Sequence, residues 1–320
     1  METQLGLTLS SEEHGPRRLV EIAELAEQSG FDFVSISDHY HPWLDDQGHS
    51  PFVWAVLGAI ASRTERIHVA TGVTCPTMRI HPAVLAQATA TVGNLFRDRF
   101  TWGVGTGEAL NEHITGERWP PAQVRLEQLD EAIDVVRKLW TGESITHRGT
   151  HYCVEAARIY DPPEHPIPIV VSAFGPLAAN VAARAGDGLW TTGSPREVVE
   201  RWRSNGGSGP VYCQFTLCWG PDHRKAIEQA HHSWRNAGLP GQLGQDLSTP
   251  EHFEQATSIV TPEMVDEAMP CGPDTAAIVE RSAELIDAGV DHLNFHQVGD
   301  NQEEFCEVWR SDIEPALRRD

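Results

Sequence analysis

Lysine is nearly missing from this 320-residue chain: Lys138 and Lys225 stand alone among 24 basic residues, the rest being arginine. Against 46 carboxylates this leaves a formal charge of −22. Such a balance weighs against a nucleic-acid or anionic-membrane partner, both of which are held by cationic surfaces. A GC-rich genome accounts for the arginine bias, and a high-salt cytoplasm, where hydrated cations sit on surface carboxylates, suits it too. Paired cysteines are also missing. Cys75, Cys153, Cys213, Cys218, Cys271 and Cys306 are scattered with no C-x-x-C, which indicates neither a disulfide framework nor a zinc site. No run approaches the roughly 18 apolar residues of a membrane span, and the opening Met-Glu-Thr-Gln lacks the basic and hydrophobic regions of a signal peptide. The expectation is a cytoplasmic protein with reduced thiols and no membrane partner.

What is present is a regular alternation of buried strands and amphipathic helices. Apolar runs at 5–9, 33–37, 67–73, 100–104, 167–171, 189–192, 211–218 and 292–297 read as eight strands. Helical periodicity follows at 16–28, 52–63, 82–96, 124–140 and 176–186, and the last helix is expected to end near Arg319. Pro82 stands at a first-turn position, where its missing N–H costs nothing. Eight apolar strands, each with a following helix, predict an α/β fold of the (β/α)8 TIM-barrel type, one domain over 1–320. Two insertions interrupt the pattern, 141–166 and 236–270, the second reading as a loop-rich lid.

Chemistry in such barrels sits at the C-terminal strand ends. There the second strand delivers Asp38 and His39, closely followed by His41 and Trp43. An imidazole ordinarily titrates near pH 6.5 (roughly), so it can accept a hydroxyl proton at neutral pH, although a histidine at a strand end is also an ordinary hydrogen-bonded structural residue. His39-x-His41 has the form of a metal pair, as in barrel hydrolases, but both lysines lie in helical patterns and no bridging lysine is offered. No metal is therefore expected. The fourth strand ends in Gly103-Val104-Gly105-Thr106-Gly107-Glu108. Its spacing is wrong for a dinucleotide fingerprint, yet bare backbone N–H groups can approach a phosphate or a flat ring. Glu108 is then either an acid poised over a developing charge or a helix N-terminal acid on the dipole. Small residues also leave the third strand (Gly72 to Thr77) and the fifth (Ala173-Phe174-Gly175-Pro176), as ordinary turns do.

Taken together, Ser37-Asp38-His39-x-x-Pro42-Trp43, the string from Gly103 to Glu112, Pro82-Ala83-Val84-x-Ala86-Gln87, Ala185-Gly186-Asp187-Gly188 and Asp291-His292-Leu293-x-Phe295-His296 resemble the luciferase-like superfamily. More narrowly they resemble its coenzyme F420-dependent dehydrogenases, of the glucose-6-phosphate dehydrogenase-like branch. The resemblance implies F420 as cofactor, a homodimer, and hydride transfer between the deazaflavin C5 and a hydroxyl-bearing small molecule, an alcohol or sugar, in either direction. It assigns His39 as the base, Glu12 as its assistant, Trp43 beside the reacting centre and Glu108 as proton donor to the ring. Cofactor contacts fall on Asp38, Gly72, Val73, Cys75, Thr106, Gly107, Asn111, Phe174 and Gly175, with a non-proline cis peptide at Gly72–Val73. Phe174 replaces a small residue of the family.

The departures concern the substrate, whose contacts are expected around Thr192, Pro195 and Arg196. An ungapped alignment puts Pro195, Gly244 and Ala268 where the sugar-phosphate enzymes hold their phosphate with two lysines and an arginine. Each lost charge-assisted hydrogen bond is worth about 1.5–3 kcal/mol. The expectation is an uncharged alcohol, free sugar or hydroxylated lipid rather than a phosphorylated sugar. Two other readings remain open: an FMN-dependent monooxygenase of the same superfamily, which would consume oxygen, and a metal-dependent barrel hydrolase, which would carry zinc.

Overall fold

The computed structural model describes residues 3–318. In chain order, β1 (Gln4–Leu9) leads into α1 (Pro16–Gln28), β2 (Phe33–Ile36) into α2 (Val53–Arg63), and β3 (His68–Thr71) into α3 (Pro82–Phe96). Next, β4 (Phe100–Val104) is followed by the one-turn α4 (Ala109–Glu112) and the long α5 (Ala122–Leu139). A hairpin of β5 (Ile145–Arg148) and β6 (Cys153–Ala157) comes before β7 (Ile169–Ser172) and α6 (Pro176–Ala185), then β8 (Gly188–Thr192) and α7 (Arg196–Ser204), then β9 (Val211–Leu217) and α8 (His223–Trp234). Short helices α9 (Leu243–Asp246), α10 (Pro250–Thr257) and α11 (Pro262–Ala268) lead to α12 (Thr275–Asp287) and β10 (His292–Gln297). The chain closes with α13 (Gln302–Val308), continued through a π turn by α14 (Glu314–Leu317).

Eight of the strands form a closed parallel barrel in the order β1-β10-β9-β8-β7-β4-β3-β2. The reason lies in their composition: β2 and β4 are buried at every position, so both faces need cover. Helix α1 supplies part of it with Leu19, Ile22, Ala23 and Ala26, the face that the periodicity predicts. Pro82 does open α3, and the His81 side chain caps it by accepting the Ala83 N–H at 3.1 Å. The lower lumen is packed by Phe33, Ala70, Val170, Trp190 and Tyr212. His292 stacks on Tyr212 at 4.1 Å, and His68 Nε2 meets Thr101 Oγ1 at 2.8 Å. Above this layer the lumen turns polar: Asn294 Nδ2 donates to Thr8 Oγ1 and Ser35 Oγ, both at 2.6 Å.

The insertions differ from expectation. Within 141–166 lies the antiparallel β5–β6 hairpin, held to α5 by Glu131, whose carboxylate accepts the N–H groups of Thr150, His151 and Tyr152. The 236–270 segment is helical rather than loop-rich. Its starts are marked by Thr249-Pro250 and Thr261-Pro262, in which threonine caps and proline takes the first turn. The expected helix end near Arg319 lies outside the described residues. All six cysteines are free, and no described helix is long and apolar enough to cross a membrane.

Two outcomes follow. A Cβ added at Gly103 would sit 2.0 Å from the Thr71 carbonyl oxygen, so Gly103→Ala should destabilise the barrel by about 1–3 kcal/mol through overpacking, read by denaturant unfolding. Burial pushes the imidazoles of His68 and His292 down to about 4. Between an unfolded value of about 6.5 and that native value the unfolded chain binds more protons, so stability falls as pH drops through this window, by at most about 1.4 kcal/mol per pH unit for each ring. The melting temperature should therefore decline from pH 7 to pH 5, and less steeply in a His68→Gln/His292→Asn variant. A His68→Gln/His292→Asn variant whose melting temperature declines as steeply as wild type over that range would refute the assignment.

Candidate active site

Because all eight strands run the same way, their carboxyl ends meet at one rim, and side chains from the first four converge there. Beyond β1, Glu12 is 2% exposed. Its Oε2 accepts the hydroxyls of Ser37, at 2.6 Å, and Ser10, at 3.1 Å. Ser37 Oγ in turn accepts the Ser11 N–H at 2.9 Å. Three serines thus hold one carboxylate in place, and its Oε1 lies 3.4 Å from His39 Nε2. The other ring nitrogen of His39 faces the His41 carbonyl at 3.3 Å. Both ring nitrogens thus face oxygen acceptors, the Glu12 carboxylate at Nε2 and the His41 carbonyl at Nδ1. Trp43 packs on the His39 ring with centroids 4.9 Å apart and is itself backed edge-on by Phe253 of α10 at 5.1 Å.

Opposite, the turn after β4 presents Glu108 at the N-cap position of α4. Asn111 ties it across the rim: its Nδ2 donates to Glu108 Oε2 at 3.2 Å, while its Oδ1 accepts the N–H groups of Tyr40, at 2.9 Å, and His41, at 3.2 Å. Gly107 has φ +72, and a Cβ there would meet Cys75 Sγ at 2.6 Å. Burial raises the Cys75 thiol well above its ordinary value, so this sulfur is a neutral floor under the turn. Behind the rim, Arg79 Nη2 donates to Asp38 Oδ1 at 3.0 Å, and Glu112 Oε2 accepts the Arg79 backbone N–H at 2.7 Å. Burial pushes the Glu112 carboxyl up to about 7, against the pull of Arg79.

Of the residues expected from sequence, Glu12, His39, Trp43, Gly72, Val73, Glu108, Phe174 and Thr192 line one cleft, and the Gly72–Val73 peptide is cis. Asp38, Cys75 and Asn111 are buried behind its wall. Thr106, Gly107 and Gly175 fall in the turns beside it, outside the lining. Pro195 and Arg196 lie at the start of α7, also outside it, with Arg196 exposed. Sequence reasoning missed the polar far wall of Gln214, Ser172 and His296, and missed Trp234. Period-two alternation along β9 and β10 was the available signal for Gln214 and His296. His296 Nε2 lies 3.0 Å from Glu13 Oε2 and its ring meets Trp234 edge-on at 4.5 Å. Burial alone would raise the Glu13 carboxyl, but His296, by hydrogen bond and charge, holds it below the usual range. The lining contains no lysine or arginine. His41 is directed elsewhere, its Nδ1 on the Leu110 carbonyl at 2.9 Å and its ring stacked on His113. Among the described residues no three His, Cys, Asp or Glu side chains converge as metal ligands.

The chain is similar to known proteins over nearly its whole length. A sequence profile described as luciferase-like monooxygenase matches residues 1–292. A protein of Microbacterium testaceum named F420-dependent glucose-6-phosphate dehydrogenase is 36% identical, covering 99% of this chain and 98% of its own. One of the same name from Nocardia farcinica is 37% identical, covering 99% and 98%. Among solved structures, an F420-dependent secondary alcohol dehydrogenase in complex with an F420-acetone adduct superposes with a TM-score of 0.92 at 29% identity, covering 99% of this chain and all of that one. The tetrahydromethanopterin reductase of Methanopyrus kandleri, at 19% identity and a TM-score of 0.79 over 99% of this chain and 100% of that one, shares the fold. The names of the sequence relatives do not bear out the expected exclusion of phosphorylated sugars. Both the profile and the full-length relatives place the chain in the luciferase-like family, beside its F420-dependent dehydrogenases.

Proposed function

We propose that this chain is a coenzyme F420-dependent oxidoreductase that exchanges a hydride between the deazaflavin and a CH–OH group of a small alcohol or sugar. The observation that carries the reading is the meeting of His39, Glu12, Trp43 and Glu108 in one cleft. The residues fit such a cofactor. Gly72, in the wall, and Gly105, behind it, let the strand ends close up against Trp190 and Val73, which a Cβ would strike at 2.7 Å and 2.9 Å. Asp38 Oδ2 is buried without a protein partner. Gly175, with open space around it, precedes α6, whose first turn carries no acid, a setting that favours a phosphate. When bound, F420 supplies the two-electron acceptor or donor. Gly72, Val73, Thr106, Gly107 and Gly175 would hold it, with Asp38 and Asn111 fixing the loops around it.

The chain's own residues handle the proton. His39 Nε2 takes the hydroxyl proton as the C–H bond breaks, and the imidazolium so formed faces the Glu12 carboxylate. The serines keep Glu12 in register for that moment without reorganisation. Trp43 covers the ring and keeps water from it. Glu108, across the cleft, serves the cofactor side as proton donor, positioned by Asn111. For the substrate, the relatives' names put glucose 6-phosphate beside secondary alcohols and free sugars among the compounds to assay. A cytoplasmic homodimer and a single domain over 1–320 belong to the same proposal.

Purified protein should quench F420 fluorescence on binding and reduce F420 with one member of a panel of secondary alcohols, sugars and glucose 6-phosphate. Oxygen consumption with FMN and no F420 reduction would overturn the reading. Within it, His39→Ala and Glu108→Gln should each lower turnover by about 10²–10⁴ while F420 still binds. Glu12→Gln should lower kcat about 10- to 100-fold with little change in KM, because its carboxylate matters most once the imidazolium forms.

A further inference from the structure

We propose that Arg79 is a positioning residue for this reaction: one buried guanidinium, held between the carboxylates of Asp38 and Glu112, locks the β2 end that carries His39 to the turn that carries Glu108. The inference rests on the F420 reading above.

Arg79 lies in neither half of the site. It stands in the loop between β3 and α3, and its side chain is only 6% exposed. On one side, Nη2 donates both to Asp38 Oδ1, at 3.0 Å, and to the Asp38 backbone carbonyl, at 3.1 Å. That carbonyl belongs to the peptide joining Asp38 to His39, so the guanidinium sets the plane from which the base projects. On the other side, Nε lies 3.5 Å from Glu112 Oε1, and the Arg79 N–H donates to Oε2. Glu112 is one helical turn beyond Glu108, so fixing it fixes the α4 turn on which Glu108 is mounted.

Charge makes the arrangement more than a brace. Asp38 and Glu112 are 4% and 0% exposed, and Glu108 adds a third carboxylate to the neighbourhood. Arg125 of α5 acts on Glu108 and the buried Cys75 thiol faces the same group, but Arg79 is the cation paired with Asp38 and Glu112. Without the guanidinium, two buried carboxylates would face each other unpaired, and one would take up a proton or turn away. Asp38 Oδ2 has no protein partner, so Arg79 also decides where that oxygen is presented. Lysine keeps the charge but not the planar fork that reaches the Asp38 carboxylate, the Asp38 carbonyl and Glu112 together.

The test uses full-length protein carrying Arg79→Gln, Arg79→Lys and Arg79→Gln/Glu112→Gln. F420 affinity is read by fluorescence, kcat and KM by F420 reduction, and melting of the cofactor-free protein from pH 5 to pH 8. Arg79→Gln should weaken F420 binding at pH 7.5 about tenfold or more. Measured against wild type at each pH, its melting temperature should lose ground as pH rises, because native carboxylates with raised pKa hold protons that the unfolded chain releases. Adding Glu112→Gln should recover most of the affinity and remove that growing difference. Arg79→Lys should keep F420 affinity and lower kcat about fivefold or more. Wild-type affinity, kcat and melting profile in Arg79→Gln, or a loss that Glu112→Gln leaves untouched, would overturn the inference. If Arg79→Gln does not fold, an unchanged kcat in Arg79→Lys overturns it. Wild-type protein that does not bind F420 would instead sink the functional reading itself.

Discussion

Parallel closure is the constraint from which the rest follows. Because β1 pairs with both β2 and β10, no edge strand is left, and every carboxyl end faces the same rim. A parallel barrel must bury both faces of its strands, which accounts for the uninterrupted apolar runs and for helices packed around the outside. It also gathers side chains distant in sequence without any of them having to cross the core. Glu12, His39 and Glu108 come from three separate strand ends and meet because the register of β1 to β4 leaves them no other place.

The rim is polar, and a polar rim over a barrel lumen has to be satisfied or it destabilises the fold. Unpaired buried carboxylates are costly, and here each is given specific partners: serine hydroxyls for Glu12, His296 and the Gly299 N–H for Glu13, Arg79 for Asp38 and Glu112. Such pairs add little net stability over well-packed apolar residues, whereas removing one member of a buried pair costs about 3–5 kcal/mol. The polar contacts therefore serve fixed geometry, as a site that must not reorganise during proton transfer requires.

Much of this is legible in the sequence, for reasons that can be named. Strand ends carrying Asp38-His39 and Gly107-Glu108 announce themselves because apolar runs stop at chemistry-bearing residues. Helices α1 and α3 match the expected bounds because Pro16, Gly30 and Pro82 punctuate them. The far wall of the cleft is legible only in part. Polar residues alternate with apolar ones along β9 (Tyr212, Gln214, Thr216) and β10 (His292, Asn294, His296), which puts Gln214 and His296 on one face of each strand, but only barrel closure turns that face toward the cleft. Arg79 is invisible for a different reason: its importance lies in two carboxylates that are 41 and 33 positions away. The 236–270 segment reads as loop because its helices are only four to eight residues long, too short for periodicity to register.

That segment reaches further into the site than its position suggests. Phe253 backs Trp43, and Trp43 covers His39, so an aromatic stack runs from a late insertion to the histidine at the end of the second strand. Leu44, Leu110, Leu239 and Leu247 close the same cluster. Grafting a relative's 236–270 region to change what the cleft accepts would also exchange the support beneath His39. Cleft shape and the seating of that histidine are thereby inherited as a linked pair, and a successful chimera has to carry Trp43 and Phe253 together.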